Sequence, residues 1–238
     1  MTEKNKGKLF LIPSALGDFA AQHMLAPYVL EQVRQIRFFL VESEKSGRAA
    51  IKNLQIAHPQ SALEILLLNE HTKDQDQAEL LKAAEEGHDI GLISDAGLPC
   101  VADPGSVVVS LAHRKGIQVQ PLPGPSSIML ALMASGFNGQ GFTFHGYIPI
   151  EKSARAKKIR EMEQDASRKK QTQIFIETPY RNTPLLQDLL KGCQASTKLC
   201  VAVDLLQPDQ FIFSASIAEW RKNNFDFHKK PAVFLIAG

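Results

Sequence analysis

From Lys8 to Leu122, short apolar runs alternate with segments of helical period, and this alternation restricts the fold more than any other property of the chain. KLFLIPS, FFLVES, ALEILLLN, DIGLIS and IQVQPL read as strands. Between them MLAPYVLEQVRQI, a short segment from Gly47, AELLKAAEEG and SVVVSLAHRK read as helices. Thr72, with Gln75 three residues on, has the pattern of a capping box for the third helix. Parallel strands need crossover connections, so regular strand–helix alternation predicts a parallel-type α/β sheet. Asp103 and Pro104 are expected to open the fourth helix as N-cap and first-turn proline, and Gly116 to close it after a basic last turn.

The pattern changes after PLPGPSS (Pro121–Ser127), which reads as a hinge that opens the helix SIMLALMASG. Five strand-like runs follow, FTFHGY, QTQIFIET, KLCVAVDLL, FIFSA and PAVFLIAG, with only three helical segments between them. That mixture predicts an α+β domain, and hence an N-terminal α/β domain over 1–120 and a C-terminal domain over 121–238.

A chain of 238 residues, 44% hydrophobic and 22% charged, has the composition of a globular protein with substantial cores. Its apolar runs fall short of the roughly 18–20 residues that span a bilayer, and the start MTEKNKGKLFLIPSALG lacks the features of a signal peptide. Three cysteines without CxxC spacing suggest neither a disulfide framework nor a metal site, and point to a reducing cytoplasm. Net charge is only +2, but Lys152–Lys170 carries eight basic residues against three acids. Such a segment is either a solvated helix face or a surface that meets phosphates.

The stretch GLISDAGLPCVADPGS (Gly91–Ser106) crowds turn-forming residues and two carboxylates behind a strand, where α/β proteins bind ligands. Neither GxxxxGK[ST] nor GxGxxG occurs. Carboxylates are poor hosts for a pyrophosphate, so a neutral or cationic ligand fits this loop better.

LFLIPSALGD, SDAGLPCVADPG, PLPGPSS and IFIETPYR, in this order, resemble the tetrapyrrole methylase superfamily of S-adenosylmethionine-dependent methyltransferases. The most similar branch is the ribosomal RNA small-subunit methyltransferase I group, which methylates a ribose 2′-hydroxyl. The resemblance runs from Lys8 to Gly238. It implies a two-domain α/β homodimer with S-adenosylmethionine in the cleft between the domains, and a partner in ribosomal RNA or the small ribosomal subunit. Carried over motif by motif, it implies cofactor contacts at Leu16 in SALGD, at Asp95, Gly97 and Leu98, and at Ser126 and Ser127. Further contacts are implied at Glu177 in IFIETPYR, Leu205 after VAVD and Ala232 in KPAVF. Asp95 has an alternative role, capping the turn's own amides.

The chain departs from that branch where AEDTR becomes VESEK (Val41–Lys45), IGN becomes LGD and FEGFLP becomes FHGYIP, and it ends at AVFLIAG, where the branch usually continues. Methyl transfer from a sulfonium is an in-line displacement in which orientation supplies about 7–11 kcal/mol. A ribose hydroxyl also needs a base within reach. Glu42 is the first candidate, with Glu44, Lys45 and His145 behind it. A tetrapyrrole or other small-molecule acceptor, and a non-catalytic cofactor- or RNA-binding protein of this fold, are the alternatives.

Overall fold

A computed structural model describes residues 5–19, 23–68 and 76–238, with the side chains of 76–78 left aside. The expected capping box at Thr72 and Gln75 lies outside the described residues. The chain divides into two compact units between Ser126 and Ser127, within the PLPGPSS segment.

The first unit carries β1 (Lys8–Ile12), α1 (Pro27–Val33), β2 (Phe38–Val41), α2 (Glu44–Asn53) and β3 (Glu64–Leu67). A 3-10 segment, Asp76–Leu81, then leads into α3 (Lys82–Glu85), followed by β4 (Ile90–Ile93), α4 (Ser106–Arg114) and β5 (Gln118–Pro121). The strands form a sheet of order β3-β2-β4-β1-β5 in which every pairing is parallel. Alternate residues feed two cores. Phe10, Ile12, Phe39, Val41 and Ile93 pack with α1 and α2, while Leu9, Leu40, Ile90 and Leu92 pack with α3 and α4. Gly91 keeps the first face passable: a Cβ there would lie 2.7 Å from Ile12 Cδ1 and 2.9 Å from Phe39.

Two helix starts differ from the sequence expectation. α2 begins at Glu44 because Ser43 caps it, its side chain accepting from the Ser46 amide. Gly47 lies inside the helix, where a Cβ would strike the Val41 side chain at 2.6 Å. α4 begins at Ser106, behind Gly105 at φ +128° and with no side-chain cap. Asp103 is therefore not its N-cap; the Asp103 carboxyl has other partners, described below. Gly116, at φ +64°, does follow the end of α4, and its amide donates to His113.

The second unit carries α5 (Ser127–Ser135), β6 (Phe142–Tyr147), α6 (Lys152–Lys169), β7 (Thr172–Ile176), α7 (Asn182–Gly192), β8 (Lys198–Val203), β9 (Phe211–Ser216), α8 (Ile217–Trp220) and β10 (Ala232–Ala237). Its sheet has the order β6-β7-β10-β8-β9. Only β6 and β7 pair in parallel; the other pairings are antiparallel. One face packs on α6, α7 and α8, and the other on α5. Trp220 is fully buried and donates its indole N–H to the Leu199 carbonyl at 2.8 Å. α6 buries Ile159, Met162 and Ala166. Of its basic residues, Arg155 turns inward onto Asp188 at 2.6 Å, and Arg160 and Arg168 face solvent. Among the described residues no helix is long and apolar enough to cross a membrane.

Candidate active site

In the first sheet β2 and β4 are neighbours, yet the chain leaves β2 toward β3 and leaves β4 toward β5. Connections that part in opposite directions open a crevice at the carboxyl ends of the strands. The residues that follow these two strands face one another there. The Asp95 amide, after β4, donates to Glu42 Oε1, after β2, at 3.2 Å. Asp95 Oδ1 accepts from Ser46 Oγ of α2 at 2.5 Å. The Asp95 side chain thus reaches across the crevice to α2.

Asp103 completes a group of three carboxyls. It stands close against Glu42 and Ser94. Burial, and then the charges of Glu42 and Asp95, push its pKa up to about 7. The Glu42 carboxyl is also raised, first by burial, against the opposing hydrogen bond from the Asp95 amide. Two carboxyls in contact do not both ionise readily, so near neutral pH this pair holds one proton, with Asp103 the protonated member and Glu42 the acceptor.

The wall beside them is built from backbone. Ser14 and Gly97 exchange amide–carbonyl bonds of 2.8 and 3.2 Å, and Ser14 Oγ donates to the Ser94 carbonyl at 2.7 Å. This ties the loop after β1 to the loop after β4. Gly97 stands at φ +77°, and a Cβ there would lie 3.4 Å from Leu16 Cδ2 and 3.7 Å from the Pro125 carbonyl. Leu16, Gly97 and the chain just before Ser126 therefore meet at one place. Leu98 lies half-buried beside them. The β4 loop is also strained: Cys100 and Ala102 hold φ of +67° and +64°, a left-handed conformation that costs non-glycine residues about 1–3 kcal/mol each.

In the second unit the candidate residues gather at one end of three adjacent strands. Glu177 follows β7, Leu205 lies just beyond β8, and Ala232 starts β10, in register with Val203 while Val233 faces Ile176. All three are buried. Glu177 Oε1 accepts from Arg181 Nη2 at 2.5 Å and from the Thr178 amide at 2.7 Å. Leu205 is flanked by Asp204 and Leu206, both at positive φ. Ser127 is the first residue of α5.

The other base candidates have different surroundings. Glu44 pairs with Arg48 at 2.9 Å and Lys45 is exposed. His145 lies on β6, where its Nε2 shares a 2.7 Å hydrogen bond with Gln173 and burial lowers its pKa. Sequence reasoning missed the role of Asp103 and the contact of Ser46. The only signal for the former was a second carboxylate in the same loop. Among the described residues no cluster of His, Cys, Asp and Glu could hold a metal ion.

The model of the tetrapyrrole (corrin/porphyrin) methylases matches residues 27–220. The chain belongs to this family. It is accordingly an S-adenosylmethionine-dependent methyltransferase. A relative named ribosomal RNA small subunit methyltransferase I, from Vibrio cholerae serotype O1, is 29% identical over 97% of this chain and 77% of its own length. One of the same name from Escherichia coli O157:H7 is 28% identical over 99% and 79%. Among solved structures, the methyltransferase CobJ superposes with a TM-score of 0.66 at 17% identity, over 98% of this chain and 94% of that one. A uroporphyrin-III C-methyltransferase from Thermus thermophilus, complexed with S-adenyl homocysteine, superposes at 0.56 with 15% identity, over 97% of each chain. These two likenesses concern the fold.

The crevice residues fit the methyl donor. A sulfonium and an α-ammonium are cations, and the loop offers carboxylates. No group that would demand a phosphate is present in the β4 loop.

Proposed function

We propose that this methyltransferase acts on a ribose 2′-hydroxyl in RNA of the small ribosomal subunit, in the cytoplasm and as a homodimer. The observation that carries the acceptor is the similarity, over almost the whole chain, to proteins named ribosomal RNA small subunit methyltransferase I. Leu16, Asp95, Gly97, Leu98 and Ser126 in the first unit, and Ser127, Glu177, Leu205 and Ala232 in the second, hold the donor in this reading. When bound, S-adenosylmethionine supplies a methyl group activated by its sulfonium.

The chain's own contribution is a proton acceptor and a fixed geometry. A ribose hydroxyl near neutral pH must lose its proton as its oxygen attacks. Glu42, ionised while Asp103 keeps the shared proton, receives it. Asp95, held by Ser46, sets the position of Glu42 through its amide.

The test is tritiated methyl transfer onto small ribosomal subunits and, side by side, onto a small-molecule extract. Label is expected in the RNA of the subunits. Glu42→Gln should lower the rate by about 10²–10⁴-fold while S-adenosylhomocysteine binding, read by calorimetry, persists. Label confined to the small-molecule fraction would overturn the RNA reading and favour a tetrapyrrole-like acceptor.

A further inference from the structure

The second unit exposes aromatic side chains at the carboxyl ends of β6 and β7. Tyr180 is 66% exposed and Tyr147 57%. Both are held by built features. β6 slips register between Phe144 and Tyr147, and Gly146 within that slip stands at φ +64° with nothing within 4 Å of a Cβ. Glycine is there for its conformation, and the bulge it permits re-aims Tyr147. Tyr180 lies in the 3-10 turn Pro179–Arg181 that follows β7. The segment before β10 braces that turn: the Lys229 amide donates to the Pro179 carbonyl at 2.9 Å, and Asn182 Nδ2 to the Lys230 carbonyl at 2.5 Å. Lys229 adopts φ +63°, a conformation costly for lysine, and its Nζ lies 6.0 Å above the Tyr180 ring. His228 meets the same ring edge-on at 5.9 Å.

Beside them is an open depression lined by Tyr147, Ile148, Pro149, Ile150, Thr178 and Arg181. Arg181 is turned inward: its Nη2 is taken by Glu177 and its Nε is buried with no acceptor. The nearby acids are already engaged: Glu177 by Arg181, Asp204 by Lys230 at 3.2 Å, and Asp226 by Thr183 and the His228 amide.

We infer that Tyr147 and Tyr180 form a platform on which an unpaired nucleotide of the RNA stacks, with Lys229 facing its phosphates. Single-stranded RNA is recognised through aromatic rings that stack on exposed bases beside cations that meet the backbone. Tyrosine beside a cation also serves protein interfaces, and it is the RNA acceptor proposed above that selects a nucleotide here. The inference rests on the RNA reading above and adds where the RNA is gripped.

The test uses the full-length protein and a fluorescein-labelled 12-nucleotide single-stranded RNA, read by anisotropy, together with methyl transfer to small subunits. Tyr180→Ala and Tyr147→Ala should each weaken RNA binding by about 5- to 150-fold. Tyr180→Phe, which keeps the ring, should bind within about twofold of the parent. Calorimetric affinity for S-adenosylhomocysteine and the melting temperature should hold in all three, which separates lost stacking from lost fold. If the parent binds RNA and methylates subunits while both alanine variants match it, the platform is refuted and the RNA reading stands. If the parent neither binds RNA nor labels subunits, both fall together. A change of sedimentation mass in the alanine variants would make this face a contact between copies of the chain, and would likewise overturn the platform.

Discussion

Asp103→Asn separates two roles that an aspartate before a proline can play. As a cap it would be stabilised in its ionised form, and its pKa would fall on folding. In the crevice its pKa rises instead, from 3.8 to about 7, with burial the main cause and the charges of Glu42 and Asp95 next. The folded protein then keeps a proton that the unfolded chain gives up above about pH 4. Stability is therefore full below pH 4 and is lost as the pH climbs through 7. Each tenfold displacement is worth about 1.4 kcal/mol. The site is only half enclosed, so solvent screening reduces the full value of about 4 kcal/mol to roughly 1–2. The side-chain amide of the variant cannot ionise, so the variant should gain about 1–2 kcal/mol relative to the parent between pH 4.5 and pH 8. In a domain this size that moves a melting midpoint by about 4–8 °C. Scanning calorimetry of both proteins at both pH values reads the difference, and the pH dependence of groups remote from the crevice cancels in the comparison. A variant that is destabilised by the same amount at pH 4.5 and pH 8, or more at pH 8, would refute the buried proton and restore the cap.

Gly105→Ala should destabilise the first unit by about 2–4 kcal/mol, because φ +128° excludes a side chain and a Cβ would meet Cys100 Sγ and Leu92 Cδ2, each at 2.9 Å; thermal melts check it, and an unchanged midpoint would show that the loop is free to reshape. Replacing Lys157, Lys158 and Arg160 of α6 with glutamine should lower the slope of log affinity against log salt by roughly 2 on single-stranded RNA if this face meets phosphates. An unchanged slope, measured by anisotropy, would leave it a solvated helix face.

The first sheet was legible because its information is local. Each strand of the order β3-β2-β4-β1-β5 is an apolar run between helical segments, and alternate residues point to opposite cores. In the second sheet the strands were legible and their pairing was not. β10, the last strand, is inserted between β7 and β8. The unbroken run AVFLIA, buried along most of its length, marks a central strand, but nothing within it says which neighbours it takes. Helix starts failed where a cap competed with a stronger pattern. Ser43 opens α2 in front of a charged turn, while the eye is drawn to Gly47, which is there to clear Val41.

The site divides along the same line. A tight turn at Gly97 could be read from sequence because glycine readily takes the φ of +77° that it adopts against Leu16. Asp103 could not, because Asp-Pro before an apolar run looks the same whether the carboxyl turns toward the helix amides or away from them. What decides the matter is Glu42, distant in sequence and brought alongside by the pairing of β2 with β4. That pairing does more than gather charge. The two strands are also the pair whose connections part company, so the crevice and the acids that line it have one origin. Glu42, placed directly after β2, enters a half-enclosed space that also holds Asp103, and burial there raises both carboxyls. The topology of the sheet therefore seats a proton acceptor beside a carboxyl that keeps its own proton, provided the residues after β2 and β4 are acidic. Although the chain carries VESEK at this point, Glu42 and Asp95 satisfy that condition.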